Sequence, residues 1–156
     1  MSDSLRQRTQ ALGLTLPAPS QPIANYVNHV FSQNQLFISG QIPLLDGRPA
    51  YVGRLGESLS EEEGTQAAEL AALGLLAQLS DALGDDLSRL VRILRLGVFI
   101  ASGADFQRQG AVANGASNLL VNALGEKGRH ARTAVGVSSL PGGVAVEVDA
   151  IFELRP

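Results

Sequence analysis

Near its carboxyl end the chain alternates: Val144, Val146, Val148, Ala150 and Phe152 take one parity, while Ala145, Glu147, Asp149, Ile151 and Glu153 take the other. Successive side chains of an extended strand point to opposite faces, so this run is a strand with one wholly apolar face. Such a face must be covered. The rest of the chain is therefore constrained to supply a sheet around this strand and a layer over it.

Two helices supply the cover. Ser60, followed three residues later by Glu63, forms a capping box, with Glu61 and Glu62 beside the positive helix end. Ala68, Ala71, Ala72, Leu75, Leu76, Leu79 and Leu83 then recur at helical spacing, and Gly84 supplies the stop. The alanines let this helix lie close to a sheet. The second helix spans Gln109 to Leu124, with Val112, Ala113, Ala116, Leu119, Leu120 and Ala123 inward and Gly125 after it. A short helix is also expected between Ser4 and Leu14, ended by Gly13 or by the stretch from Pro17 to Ser20. Residues 1–20 are accordingly an accessory helix and linker, and 21–156 a single domain.

Further strands surround the last one. Tyr26, Val27, Val30 and Phe31 precede a Ser32-Gln33-Asn34 turn and Leu36-Phe37-Ile38-Ser39 follows, a hairpin pattern, and Asp46-Gly47 marks a second turn. Between Ser88 and Ser102, Arg89, Arg92 and Arg95 recur at a helical interval. Gly97 and the alternation of Leu94, Leu96, Val98 and Ile100 nevertheless predict a strand. Arg132 to Ser138 forms another, joined to the last by Leu140-Pro141-Gly142-Gly143. The order of strands, helix, strand, helix, strands gives an α+β fold with two helices on one sheet face. In the strand from Arg132, one parity carries Thr133, Val135 and Val137, the other Arg132, Ala134, Gly136 and Ser138. The second, small and mixed set is expected on the face away from the helices, buried by copies of the chain in a symmetric homo-oligomer.

Composition narrows the function classes. With 156 residues, 45% hydrophobic and only 17% charged, the chain can bury one core, and the shortage of charge suits a sheet face hidden against a partner. A net charge of −3 without a run of Lys or Arg argues against nucleic acid as a partner. No cysteine is present, which excludes disulfides, a thiolate nucleophile and sulfur metal ligands. Met1 to Gln10 lacks the apolar stretch of a secretory signal, and no segment approaches the roughly 18 apolar residues of a membrane span. A cytoplasmic protein without a membrane partner is the expectation.

The segment Ala131-Arg132-Thr133-Ala134-Val135-Gly136-Val137-Ser138-Ser139-Leu140-Pro141, followed by Val146-Glu147-Val148-Asp149-Ala150-Ile151, resembles the carboxy-terminal signature of the RidA/YjgF/UK114 (Rid) superfamily. Its pieces are an Arg after a small residue, an apolar strand, a Leu-Pro turn, and an alternating strand with Glu and then acidic-Ala-Ile. Asn25-Tyr26-Val27, Ser39-Gly40-Gln41-Ile42-Pro43 and Val112-Ala113-Asn114 extend the match, which covers roughly residues 20–156. The amino-terminal helix and the run Val112-Ala113-Asn114-Gly115-Ala116-Ser117 look like a branch distinct from RidA itself, labelled endoribonuclease L-PSP-like.

The resemblance implies a chorismate-mutase-like fold assembled as a homotrimer, with clefts between subunits. It implies that Arg132 binds the carboxylate of a 2-imino or 2-enamino acid, which water converts to a 2-keto acid and ammonia. Tyr26, Ser39, Gly40, Asn114 and Glu147 match the family's site, Glu147 being the group that contacts the water. No cofactor and no metal is implied. Elementary chemistry agrees with such an assignment: a planar guanidinium grips a carboxylate through two parallel charge-assisted bonds, and an imine needs only holding, a proton and a placed water. Ala134 departs from the cysteine common two residues after the arginine in RidA-type members, which alters the pocket but not the feasibility of hydrolysis.

Other polar groups have plainer readings. His29 and His130 lack a third histidine or a cysteine to complete a zinc site, although His130 shares strand parity with Arg132 and is a candidate for the cleft rim. Glu61 to Glu63 cap a helix, and the glycine-rich pieces lack a phosphate-loop pattern. Three functions remain: an enamine/imine deaminase, a non-catalytic trimer that binds a small carboxylate such as a keto acid, and a ribonuclease or translation inhibitor. The absence of a basic stripe puts the third last.

Overall fold

The computed structural model describes residues 4–156. In chain order the elements are α1 (Leu5–Ala11), β1 (His29–Ser32), β2 (Gln35–Gln41), β3 (Leu44–Leu45), β4 (Arg48–Pro49), α2 (Glu61–Leu83), β5 (Leu90–Ala101), α3 (Gln109–Leu124), β6 (Ala131–Val137) and β7 (Val146–Leu154). Five strands form one sheet in the order β1-β2-β7-β5-β6, and β3 pairs with β4 alone. Only β5 and β6 run parallel, linked through α3; the other neighbours in the large sheet are antiparallel. The strand predicted from alternation, β7, lies at the centre. Its Val146, Val148, Ala150, Phe152 and Leu154 are buried beneath the helices.

Local chemistry fixes the element ends. Ser60 Oγ accepts from the Glu63 amide at 3.2 Å while the Glu63 carboxylate accepts from the Ser60 amide at 2.7 Å, so both halves of the capping box are present. Gly84 ends α2 with φ +63°, a left-handed conformation that glycine adopts without a Cβ penalty. Asp46 and Gly47 both have positive φ, the requirement of the two-residue turn that joins β3 to β4. The close approach of the covering helices also depends on a missing side chain: a Cβ on Gly115 of α3 would run into the Thr65 carbonyl of α2. Helix α1 packs on α3 and α2, with Leu5 fully buried and Ser4 and Arg6 bonded to Asp85. No helix among the described residues is long and apolar enough to cross a membrane.

Three expectations need correction. The first strand begins at His29, leaving Tyr26 and Val27 in the preceding bend. In β5 a register break between Ile93 and Arg95 interrupts the alternation, so Ile93 rather than Leu94 joins Leu96, Val98 and Ile100 in the core. Most consequentially, Arg132, Ala134 and Gly136 do not lie on the bare face. Ala134 packs against the core, Arg132 reaches α3, and a Cβ on Gly136 would meet Ser102 and Gln109. Ala134 and Gly136 are small because they lie beneath the helix layer, and Arg132 at the strand's start reaches out to α3. The bare face instead receives Thr133 and Val135, in register with Gly97 and Phe99 of β5.

Candidate functional site at the two halves of the sheet

The first half lies where the edge strand β6 passes α3. Gly110, Asn114 and Ser117 recur at helical spacing on α3, and all three accept hydrogen bonds from Arg132. Its Nη1 donates to Asn114 Oδ1 at 2.8 Å and to Ser117 Oγ at 3.1 Å, and its Nη2 donates to the Gly110 carbonyl at 3.3 Å. A guanidinium has five N–H donors in a rigid fork. With both Nη1 hydrogens and one on Nη2 directed to α3, Nε–H and the remaining Nη2–H sit on neighbouring nitrogens and are available to a carboxylate. The positive charge is thus carried at an exposed sheet edge with one side of the fork open. Beyond Ser117 stands His130, whose Nε2 is 2.9 Å from Ser117 Oγ.

The second half is built on β2 and β7. Between Ile38, opposite Ala150, and Gln41, opposite Val148, strand β2 carries one residue more than β7, which places a bulge at Ser39-Gly40. Glycine leaves room there for the carboxylate: a Cβ at Gly40 would stand 2.5 Å from Glu147 Oε1, and the glutamate side chain would have to shift. Glu147 therefore lies directly on the bulged backbone, on the sheet face away from the helices. Burial, and then the neighbouring Asp149, raise the pKa of Glu147 above the ordinary carboxylate range. The nearby cation does not offset this, because Arg95 is turned to Asp149 at 3.5 Å. Ser39 Oγ donates to the Val27 carbonyl at 2.7 Å, and the Ser39 amide donates to the Asn28 carbonyl, tying the segment that carries the exposed Tyr26 to the bulge.

Within one chain the halves do not meet. Glu147 is in register with Phe99 and, beyond it, Val135 on β6, whereas Arg132 lies three residues away along that strand. Two strand spacings and three residues put roughly 10 Å in each direction between their backbones, and the side chains leave opposite faces. The structure thus brings Asn114 to Arg132 and Gly40 to Glu147; Ser39 shares the bulge with Gly40, and Tyr26 directly precedes Val27, whose carbonyl Ser39 holds. Sequence reasoning missed Ser117 and the Gly110 carbonyl; their helical spacing with Asn114 was legible, but not that this stripe faces β6. A surface hollow of about 260 Å³ lined by Glu57, Asp105 and Phe106 includes none of these residues. Among the described residues no three His, Cys, Asp or Glu side chains converge as a metal site.

Comparison with known proteins places this architecture. Residues 6–150 match the family described as "YjgF/chorismate_mutase-like, putative endoribonuclease". The chain is 50% identical to Protein TCP17 of Trypanosoma cruzi over 147 residues, covering 94% of this chain and 91% of that one. The crystal structure of Atu1372 from Agrobacterium tumefaciens, a protein with unknown function, superposes with a TM-score of 0.91 at 45% identity, covering 97% of this chain and 92% of the other. RidA from an Antarctic Psychrobacter is more distant, with a TM-score of 0.58 at 25% identity over 90% and 96% of the two chains. The chain belongs to the YjgF/chorismate mutase-like family, in a branch distinct from RidA itself.

Proposed function

We propose that the protein is a homotrimeric enamine/imine deaminase in which Arg132 of one subunit and Glu147 of a neighbour share a cleft. The observation that carries this reading is the state of the Arg132 fork: three donors are held by α3 and two neighbouring ones are open at a sheet edge. That arrangement suits a small carboxylate held by two charge-assisted bonds. The separation of Glu147 from Arg132 within one chain supports a site completed by a second copy. The bare face supports assembly too, since Val30, Phe37 and Val135 are 51%, 38% and 40% exposed.

In such a cleft Arg132 orients a 2-imino acid by its carboxylate. Glu147, a stronger base than a solvated glutamate because of its raised pKa, takes a proton from the attacking water. Oxygen bonds to the imine carbon and the proton passes to nitrogen. The hydroxyl of the resulting carbinolamine then gives up its proton, which Glu147 carries to the amino nitrogen as the carbonyl forms and the carbon–nitrogen bond breaks, releasing ammonia and a 2-keto acid. Tyr26 walls the pocket, while Ser39, the Gly40 amide and Asn114 contact the substrate. Binding of a small keto acid without turnover is the second reading, favoured by Ala134 where a thiol is common; ribonuclease activity has no basic surface to support it. Generating 2-aminoacrylate or 2-iminobutyrate enzymatically and following ammonia or keto-acid release tests the proposal. Acceleration by wild type and its loss in Arg132→Ala are expected. No acceleration by wild type overturns the deaminase reading, and keto-acid binding lost in Arg132→Ala then supports the binder.

A further inference from the structure

Behind Arg132 runs a line of hydrogen bonds whose directions are all determined. His130 Nδ1 is 2.6 Å from the Gly128 carbonyl oxygen, and a carbonyl only accepts, so Nδ1 carries the proton. In the neutral ring Nε2 is then an acceptor. The Ser117 hydroxyl, 2.9 Å from Nε2, donates to it and keeps a lone pair for Nη1 of Arg132 at 3.1 Å. The line runs guanidinium to hydroxyl to imidazole to backbone carbonyl. Burial lowers the imidazole pKa, with the charge of Arg132 adding to it against the opposing bond to Gly128, and so favours the neutral ring. Other charges nearby are engaged elsewhere: Arg129 with Glu126 at 3.0 Å, and Lys127 with the Leu87 carbonyl at 3.4 Å. From α3 the groups facing the guanidinium, Asn114 and Ser117, are neutral.

We infer that Ser117 and His130 are positioning residues that lock the guanidinium of Arg132 with its Nε side turned outward, the Gly128 carbonyl fixing the tautomer that makes the lock work. The physical need is evident from where Arg132 stands. An arginine on an exposed strand edge samples many rotamers, and holding one in advance removes that ordering loss from ligand binding. Asn114 holds Nη1 and the Gly110 carbonyl holds Nη2 at the longer distance of 3.3 Å; Ser117 adds a second acceptor on Nη1 and so tightens the hold on the planar group. His130 does not itself touch a ligand, because both ring nitrogens are engaged. Its part is to prevent the Ser117 hydroxyl from turning its hydrogen toward Arg132. The inference rests on the reading that Arg132 holds a carboxylate.

The test has one arm that needs no ligand and one that does. Nitrogen NMR of the His130 ring is expected to show the Nδ1–H tautomer, and Arg132→Ala, by removing a neighbouring cation, to raise the His130 pKa. In the second arm, titration with 2-oxobutanoate is expected to show binding weakened on the order of 10-fold in Ser117→Ala, a substitution α3 tolerates because alanine is a good helix former. His130→Gln, which retains an acceptor, should restore part of the affinity lost in His130→Ala. An unchanged His130 titration in Arg132→Ala, or wild-type affinity in Ser117→Ala, overturns the inference. If wild type binds no 2-oxobutanoate, the carboxylate reading fails by itself, and the His130 titration still decides whether the relay exists.

Discussion

Gly40 and Glu147 show how backbone and chemistry are joined at single positions. A Cβ at Gly40 would stand 2.5 Å from the carboxylate, so Gly40→Ala is expected to displace Glu147 and lower kcat far more than it lowers melting temperature. Glu147 also makes a signed prediction about pH. Its pKa in the fold is raised from 4.5, so its ionised, base form is lost as pH falls through that raised value. The acidic limb of the wild-type rate profile should therefore lie above the range of a free glutamate, and whatever residual rate Glu147→Gln retains should lack that limb. The same shift means that the fold favours the protonated carboxyl. Stability attributable to this group is fully present below pH 4.5 and lost as pH rises through the folded pKa. Glu147→Gln should consequently melt higher than wild type at neutral pH while losing activity, a pairing that a purely structural glutamate would not produce.

Elements differ in how far local sequence determines them. The capping box and glycine stop of α2 are local chemistry, and Ser60→Ala should destabilise the chain by about 1 kcal/mol in urea denaturation. Gly115→Val should destabilise by more, about 1–3 kcal/mol, because the added atoms meet the backbone carbonyl of Thr65 and not a movable side chain. That contact involves two helices distant in sequence, and nothing near Gly115 announces it. The same distinction explains which parts of the site were legible. Strand β7 and helix α3 follow from periodicity alone, and the motif around Arg132 is what singles it out as the proposed carboxylate anchor. Which face of β6 carries Arg132 was misjudged, because small residues suit either a helix overhead or a neighbouring subunit. Only the path of α3 over the strand decides between them. The β2 bulge likewise depends on the partner strand, since Ser39-Gly40 becomes an insertion only when counted against β7. Ser117 stayed hidden because a helix stripe says nothing of which strand it faces.

For the whole molecule, the separation of Arg132 from Glu147 within one chain makes the proposed chemistry depend on assembly. Replacing Phe37 by Asp on the bare face should yield particles nearer the 16.3 kDa chain mass than three times that mass in light scattering, with loss of activity in step. The most direct measurement mixes two inactive variants, Arg132→Ala and Glu147→Gln, after reversible dissociation and assays the reassembled material on 2-aminoacrylate. A site drawn from two subunits predicts that some mixed trimers pair an intact Arg132 with an intact Glu147, restoring activity to about one cleft in four with random mixing. Activity no greater than that of the two parents, with mixed trimers demonstrated by mass spectrometry, would contradict the shared site.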